Sequence, residues 1–238
     1  MKTDVIVFGA HPDDAELSMG GTITKLASNG INVGLIDLTQ GEMGTRGDLE
    51  TRNKEATEAA SILKTSFRIN LKLHDGNIEP TKENQFKVIA AIRKYKPRIV
   101  FAPYFKDRHP DHSNTSRLVK EALFYSGLSK LQLPGKDKDD EAYRPEKLFY
   151  YMQTYTFNPS FIIGVDECFE NKMKAIKAFK TQFHDPASSE PETFISKPEF
   201  LDFIESRAMF YGFKIGRKYG EAFYCEEEIE WDLINFLK

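Results

Sequence analysis

The chain has 238 residues, 40% hydrophobic and 29% charged, a composition that excludes disordered and fibrous classes and leaves ample core for a globular fold. Its net charge of −3, from 33 Lys and Arg against 36 Asp and Glu, offers no basic field for nucleic acid or an anionic membrane, so neither is expected as a partner. Cys168 and Cys225 make neither a disulfide framework nor a Cys-type zinc site, the apolar run after Asp4 is too short for a signal segment, and no run reaches the roughly 18 apolar residues of a membrane span; a cytoplasmic protein is the expectation.

In chain order, the β-branched run over 5–10 reads as a buried strand, followed by a helix over 17–30 that Gly30 caps. Gly20 and Gly21, inside that helix, suggest close packing. Residues 32–40 read as a strand, 49–63 as an Ala- and Glu-rich helix, 68–73 as a strand, and 83–96 as a helix stopped by Pro97. A strand over 98–103 and a helix over 112–126 complete the alternation. Residues 127–147 form a polar surface excursion. Strands over 147–155 and 160–166, a helix over 168–183, a loop over 184–192, a helix over 198–216 and a strand over 221–227 follow. Alternating strands and helices imply right-handed parallel crossovers. The fold class is α/β: a doubly wound, mostly parallel, Rossmann-like sheet flanked by helices, with the later strands and helices added, in one domain over 1–238. Ligands of such sheets sit at the carboxyl ends of the strands, where strand order reverses.

The first strand runs into "GAHPDDAE", which crowds titratable groups onto a turn. A dinucleotide site is one reading, since Asp37 ends the second strand at the distance of a ribose-binding acid. That reading needs G-x-G-x-x-G in the turn, where Asp13 and Asp14 would instead repel a pyrophosphate. The other reading is a metal. His11 and Asp14 lie three residues apart, and "RHPDH" after the fourth strand brings His109, Asp111 and His112 to the same sheet edge. Two ligands from one loop and a third from another make an open site of the catalytic kind, with a position left for water. His74 reads as turn-exposed, and His184 as a surface residue with the cleft as the alternative.

"AHPDDAE" with "HPDH" about a hundred residues on resembles the PIG-L/LmbE-like family of zinc-dependent deacetylases, which act on N-acetylglucosamine (GlcNAc) substrates. "DLTQGEMGTRG", "TRNKEATEAA" and "SEPETFISKPEFLDFIESRA" resemble the branch that deacetylates N-acetylglucosaminyl malate in bacillithiol biosynthesis. The resemblance implies zinc on His11, Asp14 and His112, Asp13 as general base, His109 as the residue stabilising the transition state, and Arg52 as a substrate contact. It also implies a homo-oligomer, a hexamer being one form. Other GlcNAc conjugates, a chito-oligosaccharide or a mycothiol-type precursor, are the alternative substrates. A non-catalytic nucleotide- or small-molecule-binding module is the alternative class.

Each of these residues also has a plainer role open to it. Asp13 and Asp111 suit helix N-caps. In the enzyme reading Asp13 takes a proton from water and returns it to the sugar nitrogen, while Asp111 orients His109 as an imidazolium facing the oxyanion. Glu16 suits the positive end of the helix dipole. Arg52 suits either a solvated helix face beside Glu55 or a bidentate contact to the malate carboxylates. Asp107 and Arg108 flank the second motif with roles left open.

Overall fold

The computed structural model describes residues 3–135, 141–185 and 188–230. The elements follow in the order β1 (Val5–Gly9), α1 (Asp14–Ser28), β2 (Val33–Thr39), α2 (Leu49–Ile62), β3 (Phe67–Leu73), α3 (Lys82–Tyr95), β4 (Ile99–Pro103), α4 (Pro110–Ser126), β5 (Lys147–Tyr151), β6 (Phe161–Gly164), a 3₁₀ turn (Asp166–Cys168), α5 (Phe169–Ala178), α6 (Pro198–Phe213) and β7 (Gly220–Tyr224). Boundaries differ from the sequence reading mainly at helix starts, because α1 and α4 begin inside the two His-Pro-Asp motifs. The helix expected over 168–183 is shorter, with α5 ending at Ala178.

The strands form one seven-stranded sheet in the order β3-β2-β1-β4-β5-β7-β6. β1 to β5 are parallel, while β7 runs antiparallel to both β5 and β6. Side chains on a strand alternate between faces, and the core divides accordingly. Val5 and Val7 pack with Ile23 of α1, Ala59 of α2 and Ile176 of α5. Ile6 and Phe8 pack on the opposite face with Ile92 of α3 and Val119 of α4. Strand order reverses between β1 and β4, so the loops leaving their carboxyl ends frame the cleft.

Helix α1 is kinked at Met19, whose φ of −141° is not helical. The Glu221 carboxylate from β7 accepts from the Gly21 and Thr22 N–H groups at 3.0 and 2.6 Å, and so caps the second half of the helix. Lys172 pairs with Glu221 at 2.6 Å, and Arg207 of α6 donates to the Leu17 carbonyl at 3.2 Å, closing the first half. The close packing expected of Gly20 and Gly21 is present: a Cβ on Gly21 would lie 2.9 Å from Cβ of Val165. At the far end Asn29 caps and Gly30 follows with φ +78°, the left-handed conformation that glycine adopts without strain. Among the described residues no helix is long and apolar enough to cross a membrane.

Candidate metal centre and active site

The β1–α1 turn and the β4–α4 loop meet as the topology requires. His11, Asp14 and His112 bring one ligand atom each within 4.8 Å of one another. Asp14 is fixed by the Ala10 and His11 N–H groups, which donate to its Oδ2 at 2.8 and 3.1 Å. Its Oδ1 lies 3.2 Å from Nε2 of His112. The imidazoles are oriented from behind. Nε2 of His11 lies 3.0 Å from Asp75 and 3.4 Å from Asp111. Nδ1 of His112 lies 2.8 Å from Asp107. A ring nitrogen turned to a carboxylate while its partner faces the cluster is the arrangement of metal-bound histidine, so the donor set fits a cation. The composition of two His and one Asp suits zinc and leaves an open position.

The electrostatics agree. Burial opposes charge on both rings, but Asp111, Asp75 and Asp14 push His11 up to about 10, and Asp14 and Asp107 push His112 up to about 9. Burial likewise works against the Asp14 anion, yet His112 and His11 hold it well below the usual carboxylate range. A field that retains positive charge on buried imidazoles also favours a divalent cation.

Asp13 occupies the N-cap position of α1 without capping it: its φ is 118° and its side chain accepts no cap hydrogen bond. The carboxylate instead meets Arg52 at 3.2 Å. Burial pushes Asp13 up to about 7, against the pull of Arg52. Placed beside Asp14 but free of the ligand cluster, Asp13 has the position and proton affinity of a general base.

The expectations for Asp111 and His109 are corrected, and the plainer role open to Arg52 is excluded. Arg52 is buried and lines the cavity, so it is not on a solvated face; it meets Asp13, the Pro12 carbonyl at 3.0 Å and the Gly41 carbonyl at 3.4 Å, while its Nε has no hydrogen-bond partner among the described residues. Glu55, its supposed neighbour, accepts from Thr181 instead. Asp111 neither caps α4 nor pairs with His109. Its carboxylate faces His11 and accepts from Gly76 N–H at 2.7 Å, while the His109 ring itself caps the helix by accepting from Asp111 N–H at 3.2 Å. Burial, with His11 and His112 nearby, lowers the His109 pKa, so its environment does not favour the imidazolium. The dinucleotide reading loses its acid as well. Asp37 is held by Arg68 through two hydrogen bonds, at 2.7 and 2.9 Å, and Glu16 joins the same buried arginine at 2.6 Å.

His74 and His184 are exposed. Asp75 escaped the sequence reading although it adjoins His74 at the carboxyl end of β3, the same edge as the motifs. Asp107, whose role was open, is explained by its contact with His112.

The centre lies in a cavity of about 390 Å³, a size suited to a small-molecule substrate. Leu17, Met43, Phe194, Phe200 and Ile204 give it apolar surface. Arg46 lines it but is tied to Glu190 and Ser188. Arg108 is exposed, with its guanidinium carbon 4.2 Å from the Phe194 ring centroid; among the described residues no hydrogen bond holds it.

The sequence profile of the GlcNAc-PI de-N-acetylase family, PIG-L, matches residues 6–123. A conserved protein, TT1542, from Thermus thermophilus superposes with a TM-score of 0.87 at 34% identity, over 97% of this chain and 98% of that one. The N,N'-diacetylchitobiose deacetylase of Pyrococcus horikoshii superposes with a TM-score of 0.78 at 30% identity, over 93% of this chain and 82% of that one. A probable N-acetyl-alpha-D-glucosaminyl L-malate deacetylase of Bacillus cereus is 27% identical over 201 residues, 76% of this chain and 84% of that one. With its two His-Pro-Asp loops at the switch point and this similarity along nearly its whole length, the chain belongs to the PIG-L family of deacetylases, enzymes that hydrolyse the acetamide of GlcNAc-type substrates.

Proposed function

We propose that the protein is a zinc-dependent hydrolase that removes the acetyl group of a GlcNAc conjugate, with N-acetylglucosaminyl malate as its first candidate substrate. The observation that carries the reading is the His11–Asp14–His112 cluster on the cavity wall, with Asp13 beside it and outside the ligand set. Zinc held there supplies Lewis acidity and acidifies water. Asp13 accepts the proton of the attacking water and passes it to the departing sugar nitrogen. His109, whose ring centroid lies 4.8 Å from that of His11, borders the acetyl carbonyl and donates to the developing oxyanion as a neutral imidazole.

Arg108 supports the malate reading. Its guanidinium at the cavity, without a hydrogen bond among the described residues, suits a carboxylate-bearing aglycone, and Arg binds carboxylates through two parallel hydrogen bonds. A second reading, diacetylchitobiose, is favoured by the Phe194 and Phe200 rings lining the cavity and by the similarity to a chitobiose deacetylase. Acetate release by the zinc-loaded protein from GlcNAc-malate, diacetylchitobiose and free GlcNAc tests both. Preference for the malate conjugate is expected. Preference for the disaccharide transfers the assignment to the second reading, and release from none of the three overturns the proposal.

A further inference from the structure

We infer that Asp107 is a positioning residue that locks the ligand His112 and, through the same carboxylate, the loop after β5 that lines the cavity. The inference rests on the metal reading above. Asp107 lies between β4 and α4, with its side chain 2% exposed. Its Oδ1 accepts from Nδ1 of His112 at 2.8 Å and from the His109 N–H at 3.1 Å. Its Oδ2 accepts from the Thr154 and Tyr155 N–H groups at 2.8 and 3.2 Å. Gln153 and Thr154, on that loop, line the cavity.

The chemistry of the contact fixes the imidazole. An ionised carboxylate only accepts, so the proton of a neutral His112 sits on Nδ1 and the lone pair on Nε2. Nε2 is the nitrogen 3.2 Å from Asp14, on the side of the ligand cluster. Asp107 therefore selects the tautomer and ring orientation that a metal requires. Helix capping does not account for it, since His109 caps α4. Nor does simple loop closure, which would not need the imidazole on the same carboxylate as the two amides of the neighbouring loop. A cation drawing on Nε2 makes the Nδ1–H a stronger donor to Oδ1, and that change reaches Thr154 and Tyr155 across a single carboxylate.

Two measurements test this. The first is zinc affinity of the wild type and Asp107→Asn, by competition with a chromophoric chelator. Asparagine keeps the size but presents an NH₂ where a donor now points, so it cannot serve both loops. A 10- to 100-fold loss of affinity is expected, the usual effect of removing such a partner. The second is amide hydrogen exchange in the wild type with and without zinc. Slower exchange is expected at Thr154 and Tyr155 on metal binding, with the strand amides of β5 as the internal control. Unchanged zinc affinity in a folded Asp107→Asn variant overturns the inference, as do loop amides that ignore the metal. If the variant does not fold, the exchange experiment still decides. A wild type that retains no stoichiometric zinc brings down the metal reading and this inference together, an outcome separate from the other two.

Discussion

Asp13 and Arg52 form a buried ion pair at 3.2 Å, with side chains only 6% and 8% exposed. The arginine is the main influence holding the Asp13 pKa down against burial, which has pushed it up to about 7. Removing Arg52 leaves the carboxyl desolvated without its counter-charge, so its pKa rises further and less of it is ionised at neutral pH. Arg52→Ala is therefore expected to move the acid limb of the kcat/KM profile to higher pH, while Asp13→Asn keeps the metal and loses roughly 10²–10⁴ in turnover. An acid limb that stays in place in Arg52→Ala would separate the pair from catalysis.

Metal binding should be strongly pH-dependent. His11 and His112 are held up to about 10 and about 9, and each must free one nitrogen before it can ligate. Protons win below those values, so affinity climbs as pH rises towards 9, and binding at neutral pH releases about two protons. Calorimetry in buffers of different ionisation enthalpy reads that number directly. His112→Ala is expected to lose most of the metal and nearly all activity with its fold retained; full zinc content in this variant would remove His112 from the ligand set.

Arg108 gives a selectivity test. If it meets the aglycone carboxylates, Arg108→Ala should cut kcat/KM for GlcNAc-malate by about 10- to 150-fold, equivalent to roughly 1.5–3 kcal/mol for a charge-assisted hydrogen bond. Free GlcNAc, which lacks the aglycone, should be almost unaffected. Equal losses on both substrates would assign Arg108 to the sugar or to the site itself.

Gly21 of α1 gives a stability test. A methyl at Gly21 meets the Val165 side chain at 2.9 to 3.1 Å, closer than real Cβ contacts allow. Gly21→Ala should lower stability by about 1–3 kcal/mol despite alanine's better helix propensity, because overpacking a tight contact forces neighbours to shift. Denaturant unfolding reads the difference, and a stabilised variant would show that α5 and its preceding turn yield easily.

The sheet and its edge were legible because hydrophobic periodicity and strand–helix alternation are local signals, and Val5–Phe8 or Ile99–Ala102 carry them without help. The two motifs were legible because their residue types are costly to bury except for a purpose. What escaped the sequence was partnership between distant segments. Arg52 is separated by 39 residues from the aspartate it holds, and Asp75 by 64 from His11. No periodicity encodes such pairs, and Asp111 shows the hazard: it lies between His109 and His112 in sequence, yet the histidine its carboxylate faces is His11. The antiparallel direction of β7 was not legible for a related reason, since a five-residue strand does not announce its direction.

The break in α1 also bears on the order of events during synthesis. The turn that holds Asp13 and Asp14 is one of the first pieces made, yet the carbonyl of Leu17 is closed by Arg207 and the N–H groups of Gly21 and Thr22 by Glu221. Domains form as the chain is made, N-terminal segments first. Here the kink that follows the earliest residues of the centre gains its final supports only after position 221 has been added, and β7 must then insert between β5 and β6. A nascent chain therefore carries both aspartates long before the helix that follows them is closed.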